Sequence, residues 1–300
     1  MNNISPLEPR PHRPFPPEMV ALLREVAAAA SEKGIQWFVG GASARDIVLT
    51  HVHDIEPTRA TADVDIGISI ESWAGHEIMR TALLTSGHFE QRGTATHRLH
   101  YQAPDIGART WLDIVPFGGI ADDGGEIAWP PDQAVRMNVV GFEQALQVAV
   151  KVRIDTDLVV PVASLPAQGM LKIIAWKDRH AVDRKDATDL LFLLAWYGEA
   201  GNLDRLYADD AFDLIERHEH DPDIAGAALL GRDMAGIVTP EVRDQILAVM
   251  APDNPSPPLL THMMASRTRI FGGDTAERIS QLFDAFRQEF VAAVQRRSGT

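Results

Sequence analysis

The stretch Thr61-Ala62-Asp63-Val64-Asp65-Ile66-Gly67-Ile68 decides how this chain folds. A strand alternates its side chains, so Asp63 and Asp65 share one face while Val64, Ile66 and Ile68 share the other. Burying a carboxylate is costly unless it meets a cation or a hydrogen-bond donor. Two carboxylates on one face of an apolar strand therefore mark a cation site, or else a strand end with Asp63 paired to Arg59 or Arg45. Gly67 continues the carboxylate face without a side chain, which leaves room for a ligand to approach.

A second strand predicted over Thr110 to Pro116 carries Asp113 between Leu112 and Ile114, so Asp113 also leaves its apolar face. Three converging aspartates form an expensive arrangement without a metal, and hard oxygen donors suit Mg²⁺. Upstream, the apolar run Ile35 to Val39 ends at Gly40-Gly41, and Ser43 is placed to cap a helix through about Thr50. A strand, a glycine turn and a helix start present unpaired amides to an anion. Gly40 and Gly41 permit close backbone approach, and Ser43 could donate to a phosphate. The spacing is neither a Walker loop nor the three-glycine dinucleotide fingerprint, and a plain tight turn is the alternative. Together the features suggest Mg²⁺ beside a nucleoside triphosphate. With two Mg²⁺ ions, Asp63 and Asp65 would bridge both and Asp113 would complete one, for in-line attack of a hydroxyl on the α-phosphorus.

The chain divides by pattern. Residues 1–17 are proline-rich and read as a flexible arm; 18–162 read as an α/β (α+β) catalytic half; 163–300 read as helical. In the first half, helices are expected over Glu18 to Lys33 and Ser72 to Thr85. Strands are expected at His97 to Gln102, Arg136 to Val140 and Ala149 to Val162, the last with a turn near Asp155, and Asp122-Asp123-Gly124-Gly125 reads as a hairpin signal. In the second, helices are expected at Ser164 to His180, Asp183 to Tyr197, Ile224 to Ala235, Pro240 to Val249 and Thr275 to Gln295, with a Pro-rich break from Ala251 to Pro258. Lys172, Trp176 and Arg179 fall on one helical face, and Asp186 and Asp189 sit one turn apart on the next helix. Those cations suit a triphosphate; a solvated helix–helix salt-bridge network is the competing reading.

Composition excludes several classes. None of the 300 residues is cysteine, so disulfides, thiol nucleophiles and Cys-based zinc sites are out, which is compatible with a reducing cytoplasm. No run reaches the length of a membrane span. A net charge of −14 opposes gripping nucleic acid by bulk electrostatics, though not through a local basic groove. His51-x-His53 and His218-x-His220 lack the support of a zinc motif and read as loop histidines. His97 and Arg98 read as acceptor contacts or as packing, and Trp129 beside Pro130-Pro131 as hairpin packing.

The ordered set Val39-Gly40-Gly41-Ala42-Ser43-Ala44-Arg45-Asp46, Thr61 to Ile66, Leu112 to Phe117, Ala163 through Arg179 and Lys185 to Leu190 resembles the AbiEii/AbiGii toxin family of the polymerase-β-like nucleotidyltransferases. The likeness covers about residues 18 to 197. It implies a nucleotidyltransferase domain with a mixed sheet and a helical C-terminal domain, transferring a nucleotide from an NTP with Mg²⁺. Asp63, Asp65 and Asp113 would be the catalytic metal ligands, with Gly40, Gly41, Ser43 and Lys172 on the triphosphate. It further implies an RNA acceptor such as tRNA and a toxin–antitoxin or phage-defence role with a cognate antitoxin, while the cysteine-free composition without a signal peptide or span leads to an expected cytoplasmic location. Gly41 stands where many superfamily members carry serine directly after the first glycine, and Ser43 is the substitute. A cationic small acceptor of the aminoglycoside kind, or a non-catalytic binding module on the same fold, are the alternatives, and the acidic charge suits the first.

Overall fold

The computed structural model describes residues 5–56, 61, 63–93, 95–104, 107–208, 210–251, 258–265 and 275–298. It separates into two compact units, Met1–Ser164 and Leu165–Thr300. Arg59 and most of the expected Pro-rich break after Ala251 lie outside the described residues.

The first unit opens with α1 (Pro17–Lys33), which Gly34 ends at φ 66°. It continues through β1 (Gln36–Gly40), α2 (Gly41–Arg45), β2 (Asp63–Ser69), α3 (Trp73–Thr85), β3 (Phe89–Glu90), β4 (Arg98–Gln102), β5 (Arg109–Phe117), β6 (Glu126–Ala128), β7 (Arg136–Asn138), α4 (Phe142–Gln147), β8 (Val150–Asp155) and β9 (Leu158–Val162). After Arg45 the α2 helix widens into a π-helical turn over Asp46–Val52. Seven strands form one sheet in the order β3-β4-β5-β2-β1-β9-β8, while β6 and β7 pair apart as a hairpin. Strands β2 and β5 run parallel, as do β1 and β9, and the remaining neighbours are antiparallel, so the sheet is mixed.

Alternation along the strands divides the sheet into two faces. Val64, Ile66, Ile68, Leu99, Leu112 and Ile114 are buried on one. Helix α1 packs against β5, β9 and α3, burying Leu22, Leu23 and Val26; each such side chain contributes about 1.5–3 kcal/mol. On the other face Phe38, Phe117 and Phe142 close together, with ring centroids 5.6 to 5.9 Å apart. They alter the reading of Gly67: a Cβ there would lie 2.7 Å from the Phe38 ring, so packed aromatics, not a ligand, take the space its missing side chain leaves.

The proline-rich start also departs from the expected arm. In its described part, Leu7 bridges to Val152 beside β8, Arg13 pairs with Asp54 and Glu56, and Phe15 is buried. A backbone pairing and one buried ring are enough to hold a segment whose composition alone suggests a loose chain. The Asp122–Gly125 signal marks the turn into β6 rather than the hairpin tip: Asp122 Oδ1 accepts from the amides of Gly124 and Glu126.

Among its described residues the elements of the second unit are all helices: α5 (Leu165–Arg179), α6 (Lys185–Trp196), α7 (Leu203–Leu206), α8 (Phe212–Arg217), α9 (Pro222–Ile237), α10 (Pro240–Val249), α11 (Pro258–Met264) and α12 (Thr275–Ser298). Its centre is the pairing of α9 with α12, close enough that a Cβ on Gly231 would lie 2.3 Å from the Phe286 carbonyl oxygen. Ile279, Leu282, Phe283, Phe286 and Phe290, the expected apolar face of α12, are all buried. Among the described residues no helix is long and apolar enough to cross a membrane.

Candidate active site

Register brings the carboxylates together. In the parallel pairing of β2 with β5, Asp65 lies directly opposite Asp113 and Asp63 opposite Trp111. Antiparallel pairing places Gly40 opposite Asp65 on the other side of β2. Gly41 then takes φ 60°, a conformation that side chains other than glycine resist. A Cβ at this position would fall 2.0 Å from Asp65 Oδ2. The glycine turn therefore rests its backbone on the second aspartate, and turn and carboxylates form one site.

Ser43 has a different place from the one its sequence position suggests. Gly40 occupies the N-cap of α2, and Ser43 sits inside the first turn, fully buried. Its hydroxyl donates to the Gly40 carbonyl at 3.0 Å and accepts from the Asp65 amide at 3.2 Å. The only proton of the hydroxyl is thus used within the fold, and Ser43 ties the turn to β2. Arg45 is buried and pairs with Asp46, while Asp63 pairs with Arg98.

Arg98 on β4 is the residue that the strand pattern marked only as an acceptor contact or as packing. It lies opposite Asp113 in the antiparallel register. Its Nε donates to Asp113 Oδ1 at 2.6 Å, and its Nη2 donates to Asp113 Oδ2 at 2.5 Å and to Asp63 Oδ2 at 3.2 Å. The Trp111 ring centroid lies 5.4 Å from its Cζ. The hydrogen bonds to Asp113 raise the guanidinium pKa further above its already high value, so it stays charged. The signal was present in Arg98, His100 and Gln102 alternating with Leu99 and Tyr101, but nothing in it names the partner.

The donor chemistry fits a hard divalent cation: three carboxylates at adjacent register positions, beside a turn with backbone amides. Among the described residues no three His, Asp or Glu side chains already stand in metal-holding geometry. The positive charge between Asp63 and Asp113 is the Arg98 guanidinium.

Nearby, His97, Trp73 and His76 pack around Trp129, with ring centroids 5.1 to 5.6 Å apart. His76 is buried with its Nδ1 3.5 Å from Glu77 Oε1, and burial lowers its pKa below the ordinary imidazole value. His51 is bound by the Arg13 carbonyl and stacked near Phe15, which gives it a packing role.

In the helical unit, Lys172 Nζ donates to Asp189 Oδ2 at 2.6 Å and to Asp186 Oδ1 at 3.3 Å. Arg179 forks onto Asp186 at 2.6 and 2.7 Å. The two aspartates do orient the two cations, but the network is not a solvated one. Asp186 is fully buried and the Lys172 side chain is 12% exposed, whereas that of Arg179 is 42% exposed.

A mixed sheet bearing paired aspartates next to a glycine turn, with helices following, defines the nucleotidyltransferase class of fold. The family model described as "Nucleotidyl transferase AbiEii toxin, Type IV TA system" matches residues 21–295. The chain belongs to that family and is a nucleotidyltransferase. No curated protein matches it. Among solved structures it is similar to ANT(2")-Ia in complex with adenylyl-2"-tobramycin, at 16% identity and TM-score 0.35, over 63% of this chain and 99% of that one. It is also similar to JHP933 from Helicobacter pylori, at 12% identity and TM-score 0.36, over 93% of both chains. A third is the Thermotoga maritima CCA-adding enzyme complexed with tRNA-CCA, at 13% identity and TM-score 0.24, over 94% of this chain and 83% of that one.

Proposed function

We propose that the chain transfers a nucleoside monophosphate from an NTP to a hydroxyl of RNA, with tRNA as the acceptor class, in a toxin–antitoxin system where a cognate antitoxin restrains it. The observation that carries the reading is the register of Asp65 opposite Asp113, with Gly41 lying against the Asp65 carboxylate. The family description supports the toxin role.

Asp63, Asp65 and Asp113 would hold Mg²⁺, as two ions. Bound there, Mg²⁺ supplies charge neutralisation at the phosphates and a more acidic attacking hydroxyl. The protein's own contribution is placement. The Gly40-Gly41 turn brings backbone to within contact of Asp65, so phosphate oxygens seated on the turn lie next to the carboxylates. Ser43 fixes that turn through Gly40 and Asp65, acting on position rather than on phosphate. Lys172 and Arg179, the cations that the sequence pattern suits to a triphosphate, are held in the helical unit by Asp186 and Asp189. Arg179 is the more accessible, since Lys172 is enclosed by Asp186 and Asp189.

Purified protein incubated with Mg²⁺, each labelled NTP in turn and total RNA should label a tRNA-sized band, and Asp63→Ala should abolish it with the fold retained. The net charge of −14 favours a second acceptor class, a cationic aminoglycoside-like molecule. A labelled aminoglycoside without labelled RNA would replace the first reading with the second.

A further inference from the structure

The guanidinium of Arg98 covers two carboxylates that the metal reading needs. It uses both oxygens of Asp113 and one of Asp63. Oxygen ligands of Mg²⁺ sit about 2.0–2.1 Å from the ion, and an Asp113 carboxylate forked by a guanidinium has no oxygen left to offer in that direction. A metal ion and Arg98 are therefore alternatives for the same charge position.

We propose that Arg98 is a displaceable internal counter-ion, which holds Asp63 and Asp113 for a divalent cation, must leave before one binds, and couples cation binding to nucleotide binding. The inference rests on the reading that the three aspartates hold the metal. Three observations and the chemistry of the guanidinium favour exchange over a permanent strut. The side chains of Arg98 and Asp63 are 34% and 38% exposed, so water screens that contact and reaches the guanidinium, although the fork onto Asp113, 13% exposed, is the costlier part to exchange. The register of β4 with β5 fixes the backbone, so only the side chain has to move. Trp111 lies beside the guanidinium and offers it a cation–π surface when the carboxylates are taken. Arginine cannot shed its proton, so release requires a competing cation at the aspartates and is eased by an anion that receives the guanidinium. A triphosphate arriving with its metal supplies both. Coupling of this kind is reciprocal: metal raises nucleotide affinity by the factor that nucleotide raises metal affinity.

The test is Mn²⁺ binding followed by electron paramagnetic resonance, with and without a non-hydrolysable α,β-methylene NTP, on the full chain. In the unmutated protein, Mn²⁺ alone should bind weakly and the nucleotide analogue should tighten it. Arg98→Gln should bind Mn²⁺ alone about tenfold more tightly, the worth of a forked charge-assisted pair, and the analogue should then add little. Arg98→Lys, which keeps the charge but loses the fork, should fall between, and it carries the test if Arg98→Gln does not fold. Unchanged or weaker Mn²⁺ binding in both variants, with a lower melting temperature, would make Arg98 a plain structural strut and overturn the proposal. Asp65→Asn separates the two levels. If it binds Mn²⁺ as well as the unmutated protein, the metal reading fails and takes this inference with it.

Discussion

Two ion-pair clusters of similar composition differ in how far water reaches their charges. In the sheet unit, Arg98 spans Asp63 and Asp113; the guanidinium and Asp63 are about a third exposed, while Asp113 is 13% exposed. In the helical unit, Lys172 and Arg179 close on Asp186 and Asp189, with Asp186 fully buried. Desolvation makes the difference. A buried carboxylate that loses its cation has no solvent to replace it, so the helical cluster is locked. In the sheet cluster the cation itself and Asp63 are open to water, which lowers the cost of parting that side of it. Strands also place their carboxylates in register on an open face, whereas facing helices enclose theirs.

The largest effect should come from the open cluster, in activity rather than stability. Asp65→Asn should lower the rate of nucleotide transfer on the order of 10³-fold, with a melting temperature within a few degrees of the unmutated protein. A large loss of stability instead would show that Asp65 is structural. Next, Asp186→Asn should cost about 3 kcal/mol in urea unfolding, because Lys172 and Arg179 lose a buried partner. Arg98→Gln should cost less, about 1–2 kcal/mol, because the guanidinium it removes is open to water. Equal losses for those two substitutions would break the contrast between the clusters.

Gly41→Ala should cost about 1–2 kcal/mol for its left-handed backbone, and the added Cβ would push the Asp65 carboxylate aside. Activity should fall further than stability; an active, stable variant would separate the turn from the carboxylates. The smallest effect concerns pH. The pKa of His76 is lowered by burial, so the folded state favours the neutral ring. Its stabilisation is fully present above the unfolded imidazole value of about 6.5 and is lost as pH falls through the lower folded value. Melting temperature should drop between pH 7 and pH 5, and His76→Phe, among aromatic neighbours, should flatten that slope.

Much of this was legible in the chain itself. Alternation in Asp63 to Ile68 and in Thr110 to Pro116 gave both strands and the face of each aspartate, because period-two burial is a local property. Spacing likewise gave α5, α6, α10 and α12 nearly to the residue. The short elements α4, α7 and α8 were not legible, since four to six residues hold too little periodicity and their packing decides them. Ser43 misled for a related reason: a serine after two glycines fits an N-cap locally, and only the pairing of β1 with β2 brings the Asp65 amide to its hydroxyl.

By itself the sequence determined the carboxylate faces, the glycine turn, the helical second half and the family. Local chemistry and periodicity suffice for the first three, and the family rests on the resemblance of the ordered motifs. Only the tertiary structure decided that Asp65 stands opposite Asp113, that Gly41 lies against Asp65, that aromatic rings fill the space at Gly67, and that Arg98 is the cation between Asp63 and Asp113. Those are relations between strands distant in the chain, fixed by register, and register is set by the burial of the whole sheet rather than by any one segment.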